Sequence, residues 1–344
     1  MTNSILLDTL NGQKTSRPPV WFMRQAGRVL PNYLKLREKH TFSELMNSPK
    51  LAAEVTLMPL YDLGVDAAIL FSDILVIPAA LGMNLNFADS GPKFDVALKE
   101  LSDPAAHLKP DASRLNYIYH AIDEIIRTKP EEIPLIGFCG APFTTLCYMV
   151  QGLSSNHTFP EAVSLLYKDR KMVHKLLAAI TELSIEYAQN QVRHGISVFQ
   201  IFETHAGLIP SDIYQEVMMP YVRQIAQAVR EEGSKVIFLP KGLGYGIRHI
   251  QPEDADFLSI DWQITLEEAR SLVHPEIGLQ GNLDPRLLFA DQKTILEKLE
   301  KYVEFGSGEQ NWIFNLGHGF VPGIPFENAR LVVDWIKRTN WKRE

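Results

Sequence analysis

Two arginines four residues apart follow the first apolar run of the chain and could bind an anion together. The run, residues 20–23, leads directly into Arg24-Gln25-Ala26-Gly27-Arg28. If a helical turn begins at Arg24, the two guanidinium groups point the same way. The planar fork of arginine binds carboxylates and phosphates through paired hydrogen bonds. The alternative, which an Arg-x-x-x-Arg pattern alone favours, is that each arginine pairs separately with a surface acid.

Polar side chains that could take part in chemistry also follow later apolar runs. They are Asp73 after residues 67–71, Thr204 and His205 after residues 197–202, Lys241 after residues 235–239, Asp261 after residues 257–260 and His318 after residues 312–314. Each residue stands where a strand-like run ends and a glycine-bearing or polar cluster begins.

The elements that would position these residues alternate regularly along the chain. Eight strand-like runs alternate with helical segments, and no linker or low-complexity segment interrupts them. This order predicts an α/β fold, a single (β/α)₈ TIM barrel over residues 1–344, with residues 74–110 as an elaborated loop after strand 2. A doubly wound sheet is the alternative, but no Gly-x-Gly-x-x-Gly follows the first run.

A barrel would bring the polar residues together at one end. The active sites of such barrels lie at the carboxyl ends of the strands, which is where all these side chains would be found. So many polar groups cannot converge without water or a polar ligand to satisfy them. The sequence therefore predicts a functional cleft at this end of the barrel.

The composition limits the partners and the compartment. The 344 residues carry a formal net charge of −7, which argues against a general affinity for nucleic acid or anionic membranes. Two cysteines are too few for a disulfide framework and indicate a reducing compartment. The first residues do not resemble a signal peptide, and no apolar run has membrane-spanning length. We therefore expect a soluble cytoplasmic protein.

Six motifs, in their order along nearly the whole chain, resemble the uroporphyrinogen decarboxylase family. Each motif is weak alone, but the ordered set is specific. The motifs are Arg24-Gln25-Ala26-Gly27-Arg28, Phe71-Ser72-Asp73-Ile74-Leu75, Gly140-Ala141-Pro142-Phe143-Thr144, Phe202-Glu203-Thr204-His205-Ala206-Gly207, Gln280-Gly281-Asn282-Leu283-Asp284-Pro285 and Asn315-Leu316-Gly317-His318-Gly319.

The resemblance implies a homodimeric (β/α)₈-barrel enzyme of heme biosynthesis that needs no cofactor or metal. Such an enzyme converts the four acetate side chains of uroporphyrinogen III to methyl groups and yields coproporphyrinogen III. Thr204 stands where many relatives are expected to have serine, but the hydroxyl group is retained. The substrate-binding residues that the resemblance implies are Arg24, Gln25, Ala26, Gly27, Arg28, Asp73, Tyr148, Thr204 and His318.

The residue types suit this chemistry. Loss of CO₂ leaves an electron pair, and a pyrrole protonated on a ring carbon can accept that pair without a separate cofactor. Arg24 and Arg28 suit the substrate carboxylates. Asp73 suits the pyrrole N–H groups, and its charge would favour the protonated ring. Asp73 and Arg24 are the catalytic candidates, although arginine gives up a proton with difficulty at its usual pKa.

Other roles for single residues stay open at this point. Asp73 could be only a helix cap, Tyr148 could be a core residue, and His318 could be a buried structural histidine. His205 has no assigned role, because strand alternation would point either His205 or Thr204 away from the cleft.

Three other functions also stay open. Lys241 could form a Schiff base, although Pro240 and Gly242 suggest that it lies on a wet, mobile loop tip. A zinc-dependent thiol or corrinoid methyltransferase could use Cys139, but no His-x-Cys follows the fourth strand. A tetrapyrrole-binding protein without catalysis is the third, and Asp73 argues against it.

Overall fold

A curled sheet of parallel strands forms the centre of the protein. The computed structural model describes residues 4–88, 91–152 and 158–343. Within these residues seven parallel strands pair in chain order, and two others form a separate antiparallel pair. The parallel strands are β1 (Ala68–Ile69), β4 (Leu135–Gly140), β5 (Val198–Glu203), β6 (Lys235–Pro240), β7 (Phe257–Ile260), β8 (Gly278–Leu283) and β9 (Trp312–Leu316). The antiparallel pair is β2 (Leu85–Ala88) and β3 (Gly91–Phe94).

Helices connect the parallel strands, as expected for parallel neighbours, which need a crossover connection. The α-helices in the described part of the chain are α1 (Ile5–Leu10), α2 (Pro31–Arg37), α3 (Phe42–Asn47), α4 (Pro49–Asp62), α5 (Val76–Ala80), α6 (Pro104–His107), α7 (Asn116–Thr128), α8 (Pro142–Gln151), α9 (Pro160–Lys168), α10 (Arg170–Arg193), α11 (Ser211–Ile213), α12 (Met219–Glu231), α13 (Leu266–Leu272), α14 (Gln292–Leu299), α15 (Lys301–Gly308) and α16 (Phe326–Arg338). Short 3₁₀ turns and one π-helical turn, Tyr214–Met218, complete the connections. No helix in residues 4–88, 91–152 or 158–343 is long and apolar enough to span a membrane.

The run at residues 20–23, expected to be a full first strand, forms a single β-bridge with the sheet. Val20 forms a parallel bridge with Phe314 of β9. The Val20 carbonyl accepts a hydrogen bond from the Asp66 amide at 2.8 Å, just before β1. The preceding residues, Pro18 and Pro19, have no N–H to donate, and a turn closed by the Gln25 amide and the Phe22 carbonyl ends the run. The other seven predicted strands are present.

A buried polar network ties this run to the sheet interior. The indole N–H of Trp21 donates to Oε1 of Gln280 on β8 at 3.0 Å. The Gln280 amide in turn donates to Gln200 of β5 at 3.0 Å and to Ser259 of β7 at 2.6 Å. All four side chains are buried, so these bonds satisfy groups that would otherwise be costly to enclose. The network joins the N-terminal run to three strands.

Residues 74–110, predicted as an elaborated loop with a short helix, have more regular structure than that. They contain α5, the β2–β3 pair, a 3₁₀ turn and α6. The Phe94 amide donates to the carbonyl of Gly152, just after α8, at 3.3 Å. This segment therefore packs beside α8, next to the cavity described below.

Candidate active site

The carboxyl ends of several strands surround a cavity of about 770 Å³. This volume is in the range of small-molecule sites. Seven of the nine predicted site residues line it, namely Arg24, Ala26, Gly27, Arg28, Asp73, Thr204 and His318. The apolar part of the wall includes Phe71, Phe138, Phe202 and Phe320. The cavity thus combines flat apolar surfaces with charged groups, as a large polycarboxylate ring would require.

The two arginines do not lie on a helical turn, so that prediction is wrong. Arg24 and Arg28 occupy successive turns, closed by hydrogen bonds from the Gln25 amide to the Phe22 carbonyl and from the Leu30 amide to the Gly27 carbonyl. Helix α2 begins only afterwards. Arg24 itself has a φ of 63°, a left-handed conformation that costs a non-glycine residue free energy. Both guanidinium groups nevertheless face the same cavity.

A glycine near the other end of the chain makes room for the Arg24 side chain. A Cβ atom at Gly319 would lie 2.4 Å from Cδ and 2.6 Å from Cγ of Arg24. Any side chain there would therefore displace the stem of the arginine. The Phe320 amide also donates to the Met23 carbonyl at 3.1 Å, which fixes the two segments against each other.

Gln25 stabilises the turn that contains Arg24, and its side chain does not line the cavity. Its side chain is fully buried and accepts a hydrogen bond from the Phe22 amide at 2.9 Å. It donates to the Ala67 carbonyl beside β1 at 2.9 Å. Gln25 was predicted to bind substrate, and its contacts in the structure are with the backbone. It joins the Arg24 turn to the strand that leads to Asp73.

Asp73 follows β1 and faces the cavity with part of its side chain exposed. Its Oδ1 accepts a hydrogen bond from the Leu75 amide at 2.8 Å, the local turn expected of a residue before a helix. Burial raises the pKa of the carboxyl group, while the Leu75 bond and the Arg24 charge oppose that rise. Asp73 can therefore stabilise this turn through Oδ1 and still face the cavity.

Tyr148, on α8, lies beside the cavity and does not line it. Its ring packs edge-on against Phe159 at 5.2 Å and in a tilted arrangement against His205 at 5.4 Å, both measured between ring centroids. Burial raises its pKa to about 12, while nearby Arg24 lowers it and Asp73 raises it. The phenol therefore remains protonated at neutral pH and can donate a hydrogen bond.

Thr204 and His318 both line the cavity and lie next to each other. Thr204 Oγ1 lies 3.3 Å from Nε2 of His318. Burial lowers the pKa of His318 well below its usual value, and the positive charges of Arg24 and Lys241 lower it further. The imidazole is therefore neutral at neutral pH and can share a hydrogen bond with the threonine hydroxyl or with a carboxylate.

Sequence reasoning did not assign Arg37 and Tyr33, which also line the cavity. Arg37, at the end of α2, donates through Nη1 to the His40 carbonyl at 2.6 Å. Burial raises the pKa of Tyr33, and the charges of Arg37 and Arg28 oppose that rise, so both arginines lie near this phenol. The sequence spacing of Arg28 and Arg37 did not indicate that the two share a site. Arg37 lies at the far end of helix α2, which begins with a proline.

Glu203 is a third residue to which sequence reasoning assigned no role, although one of the motifs contains it. It ends β5 with a fully buried side chain that accepts a short hydrogen bond from the Thr144 hydroxyl. The Tyr214 hydroxyl donates to its other oxygen at 3.2 Å. Burial raises the pKa of Glu203 to about 7, and these hydrogen bonds limit the rise. Strand alternation places it away from the cavity, behind Thr204.

Hydrogen bonds of the backbone connect the loop that carries Lys241, which the sequence suggests to be wet and mobile, to its neighbours. The Lys241 amide donates to the Glu203 carbonyl at 2.9 Å, and the Lys241 carbonyl accepts from the Gly207 amide at 3.1 Å. The Gly242 amide donates to Oδ2 of Asp261 at 2.6 Å. These bonds fasten the loop to both neighbouring strands.

Few groups near the cavity could hold a metal. Among the residues described, no three His, Cys, Asp or Glu side chains lie close enough to share an ion. Cys139, considered above as a zinc ligand, is buried, and burial raises the pKa of its thiol. The same holds for Cys147.

Comparison with known proteins agrees with the motifs over the full length. The sequence profile of the family described as "Uroporphyrinogen decarboxylase (URO-D)" matches residues 1–339. The chain belongs to this family. A protein of Geobacter metallireducens named uroporphyrinogen decarboxylase is 37% identical over 341 residues, covering 99% of this chain and 100% of the relative. A protein of the same name from Christiangramia forsetii is 38% identical over 337 residues, 97% of this chain and 98% of the relative.

Solved structures with low identity share the fold. A methyltransferase from Methanosarcina mazei superposes with a TM-score of 0.75 at 19% identity, covering 97% of both chains. A B12-independent methionine synthase from Shewanella gives a TM-score of 0.58 at 10% identity, covering 94% of this chain and 96% of the other. At these identities the similarity concerns the fold alone.

Glu203 should make the stability of the protein depend on pH. Because folding raises the pKa of this acid from 4.5 to about 7, the folded state holds the proton more tightly. The resulting contribution to stability is complete below pH 4.5 and is lost as the pH rises through about 7. Its full size is about 3 kcal/mol.

The test is urea unfolding of the wild type and of Glu203→Gln between pH 5 and pH 8. We expect the free energy of unfolding of the wild type to fall relative to that of the variant as the pH rises. Glu276→Gln, at an exposed position, serves as the matched control and should follow the wild type. A Glu203→Gln variant with the pH dependence of the wild type would refute the assignment.

Proposed function

We propose that this protein is a uroporphyrinogen decarboxylase that converts uroporphyrinogen III to coproporphyrinogen III in heme biosynthesis. The observation that carries the proposal is a cavity lined by three arginines, Arg24, Arg28 and Arg37, and by one carboxylate, Asp73. A polyanionic substrate explains the arginines, and a cation that forms during the reaction explains the carboxylate. The names of the similar proteins support the same activity.

The reaction can proceed on the substrate without a cofactor. Protonation of a pyrrole ring carbon gives a cation that accepts the electron pair of the C–C bond as CO₂ leaves. Protonation of the resulting methylene carbon and loss of the ring proton complete the methyl group. Each acetate thus consumes one proton and releases one CO₂.

The arginines would bind the carboxylates that surround the ring. Arg24 and Arg28 are exposed to the cavity, and Arg37 lies farther along the same wall. A charged fork that binds a carboxylate in a closed site contributes more than the same pair in water. Ala26 and Gly27 would contact the substrate through small surfaces between the two arginines, and Gln25 would support them.

Asp73 would act at the centre of the macrocycle. Its free carboxylate edge could accept pyrrole N–H groups, and its charge would stabilise the protonated ring. Arg24 opposes the effect of burial on the Asp73 pKa and so helps to keep the group ionised. Thr204, neutral His318 and the protonated phenol of Tyr148 would supply hydrogen bonds to carboxylates on the other side.

We also propose the finer architecture that the family resemblance implies. Residues 1–344 would form one (β/α)₈-barrel domain in which residues 20–23 complete the barrel as its first strand, with residues 74–110 as the elaborated loop. The bridge between Val20 and Phe314 supports this arrangement. A homodimer rests on the resemblance alone. Two free, buried cysteines suit a cytoplasmic location.

The direct test is product analysis. The purified protein is incubated anaerobically with uroporphyrinogen III, and the products are oxidised to porphyrins and separated by carboxyl number. We expect coproporphyrin as the final product, with transient intermediates of seven, six and five carboxyl groups. The same yield is expected after treatment with a chelator. Activity that disappears with the chelator and returns with zinc would contradict the proposal.

Arg28 should contribute mainly to binding. Arg28→Ala leaves a substrate carboxylate without its partner, which typically costs about 2–5 kcal/mol, so the substrate Kd should rise by roughly 30-fold or more. Rising salt should weaken binding by the wild type more than binding by the variant. Arg338→Ala, at an exposed position on α16, is the matched control and should bind like the wild type. Normal binding by Arg28→Ala would refute the role of this arginine.

Asp73 should contribute mainly to the chemical step. Asp73→Asn keeps the size of the side chain and an acceptor oxygen, so the substrate should still bind, although more weakly. The cation exists only during the reaction, so the single-turnover rate at saturation should fall by roughly 100- to 1000-fold. Asp73→Glu should also be slow, because the added methylene displaces the charge. A normal rate for the saturated Asn variant would limit Asp73 to binding.

A further inference from the structure

We infer that Lys241 binds a carboxylate of the substrate beside Thr204 and His318, as a specificity-determining cation. The inference rests on the proposed function, since it names a further contact to the same polycarboxylate. It is carried by the position of Lys241 in the sheet, by its surroundings and by the lack of a partner for its charge.

Strand register places Lys241 beside Thr204 at the carboxyl end of the sheet. Glu203 of β5 pairs with Pro240 of β6 as the last pair between these strands, so Thr204 and Lys241 each follow directly after it. Thr204 lines the cavity, and Lys241, which is not one of the lining residues, follows the neighbouring strand end. The backbone hydrogen bonds described above hold the Lys241 loop at this place.

An indole supports the ammonium group. Nζ of Lys241 lies 5.5 Å from the ring centroid of Trp262, within the distance of a cation–π contact. Trp262 in turn packs against the backbone before His318, since a Cβ atom at Gly317 would lie 2.9 Å from its ring. The lysine is therefore held near the end of β9, where His318 begins the cavity wall.

A second cation at the same indole already has its counter-charge. Cζ of Arg286 lies 5.1 Å from the Trp262 ring centroid, and its guanidinium binds Asp284 with distances of 2.7–3.1 Å. Lys241 takes part in none of the ion pairs found among the residues described. Its charge is thus uncompensated in a partly enclosed position.

The neighbours of Lys241 towards the cavity are suited to complete a carboxylate site. The charge of Lys241 contributes to the low pKa of His318, so the two groups lie close enough to interact. A carboxylate between them would meet an ammonium, a neutral imidazole and the Thr204 hydroxyl. The substrate offers two sources of this group, an acetate that is lost in the reaction or a propionate that is retained.

The experiment compares Lys241→Met, which keeps the length of the side chain, with Lys241→Arg and with Lys298→Met, an exposed lysine on α14. Steady-state decarboxylation of uroporphyrinogen III gives KM and kcat, and product inhibition by coproporphyrinogen III gives its Ki. We expect KM to rise roughly 10- to 100-fold for Lys241→Met with kcat nearly unchanged. Lys241→Arg should restore much of the affinity, and Lys298→Met should match the wild type.

The two sources of the carboxylate give different results. If Lys241 binds a propionate, the Ki of coproporphyrinogen III rises with KM. If it binds an acetate, KM rises and Ki does not. An independent measurement is the NMR titration of His318, whose pKa should rise in Lys241→Met because a neighbouring positive charge is gone. If Lys241→Met does not fold, Lys241→Gln supports the same comparisons.

An active wild type with an unchanged KM in Lys241→Met would overturn the inference and leave the proposed function intact. A large loss of kcat at unchanged KM would also overturn it, and borohydride trapping would then test Lys241 as a Schiff-base nucleophile. A wild type that does not decarboxylate uroporphyrinogen III would instead refute the proposed function. The pKa of His318 in Lys241→Met would still show whether Lys241 lies close to this imidazole.

Discussion

The cavity holds more positive charge than the surrounding side chains can neutralise. Three arginines line it, and among the cavity-lining residues Asp73 is the acid that faces them. The chain as a whole carries a net charge of −7, so this local excess is built against the overall composition. Solvent satisfies the exposed guanidinium groups until an anion replaces it. The rest of the site is arranged around this requirement for an anionic ligand.

Arg24 and Arg28 reach the cavity only while their two turns keep this conformation. Buried contacts stabilise the turns. Gln25 connects the turn to the backbone beside β1 through a hydrogen bond. Because Gly319 has no side chain, the Arg24 stem can lie against its backbone. The left-handed conformation of Arg24 is thus stabilised by contacts outside its own turn. Next to Thr204, which lines the cavity, Glu203 connects β5 to α8 and to Tyr214 through hydrogen bonds of its buried carboxyl group.

The positive charge also determines the protonation of its neighbours. His318 is neutral because burial and nearby cations both oppose its protonation. Tyr148 keeps its proton because burial outweighs the effect of Arg24. Burial also raises the pKa of Asp73, and the Leu75 hydrogen bond and the charge of Arg24 limit that rise and favour the charged form. The same guanidinium therefore helps to keep one neighbour ionised and another uncharged, which a site for anions and transient cations needs.

The order of strands and helices, and the placing of polar residues at strand ends, follow from the sequence itself. These features are local patterns, since apolar runs, caps and glycines act within a few residues, and parallel strands bring their carboxyl ends together. Seven of the eight predicted strands and seven of the nine predicted site residues lie where these patterns place them.

The tertiary structure alone decided the features that depend on distant partners. The spacing of Arg24 and Arg28 fits a helical turn, but Gln25 and the backbone at Gly319 select two successive turns instead. The sequence likewise does not show that Asp261 accepts a hydrogen bond from the backbone of the Lys241 loop, at Gly242. Such contacts join residues far apart in the chain, and a local pattern carries no information about which distant group will satisfy a polar side chain once both are buried.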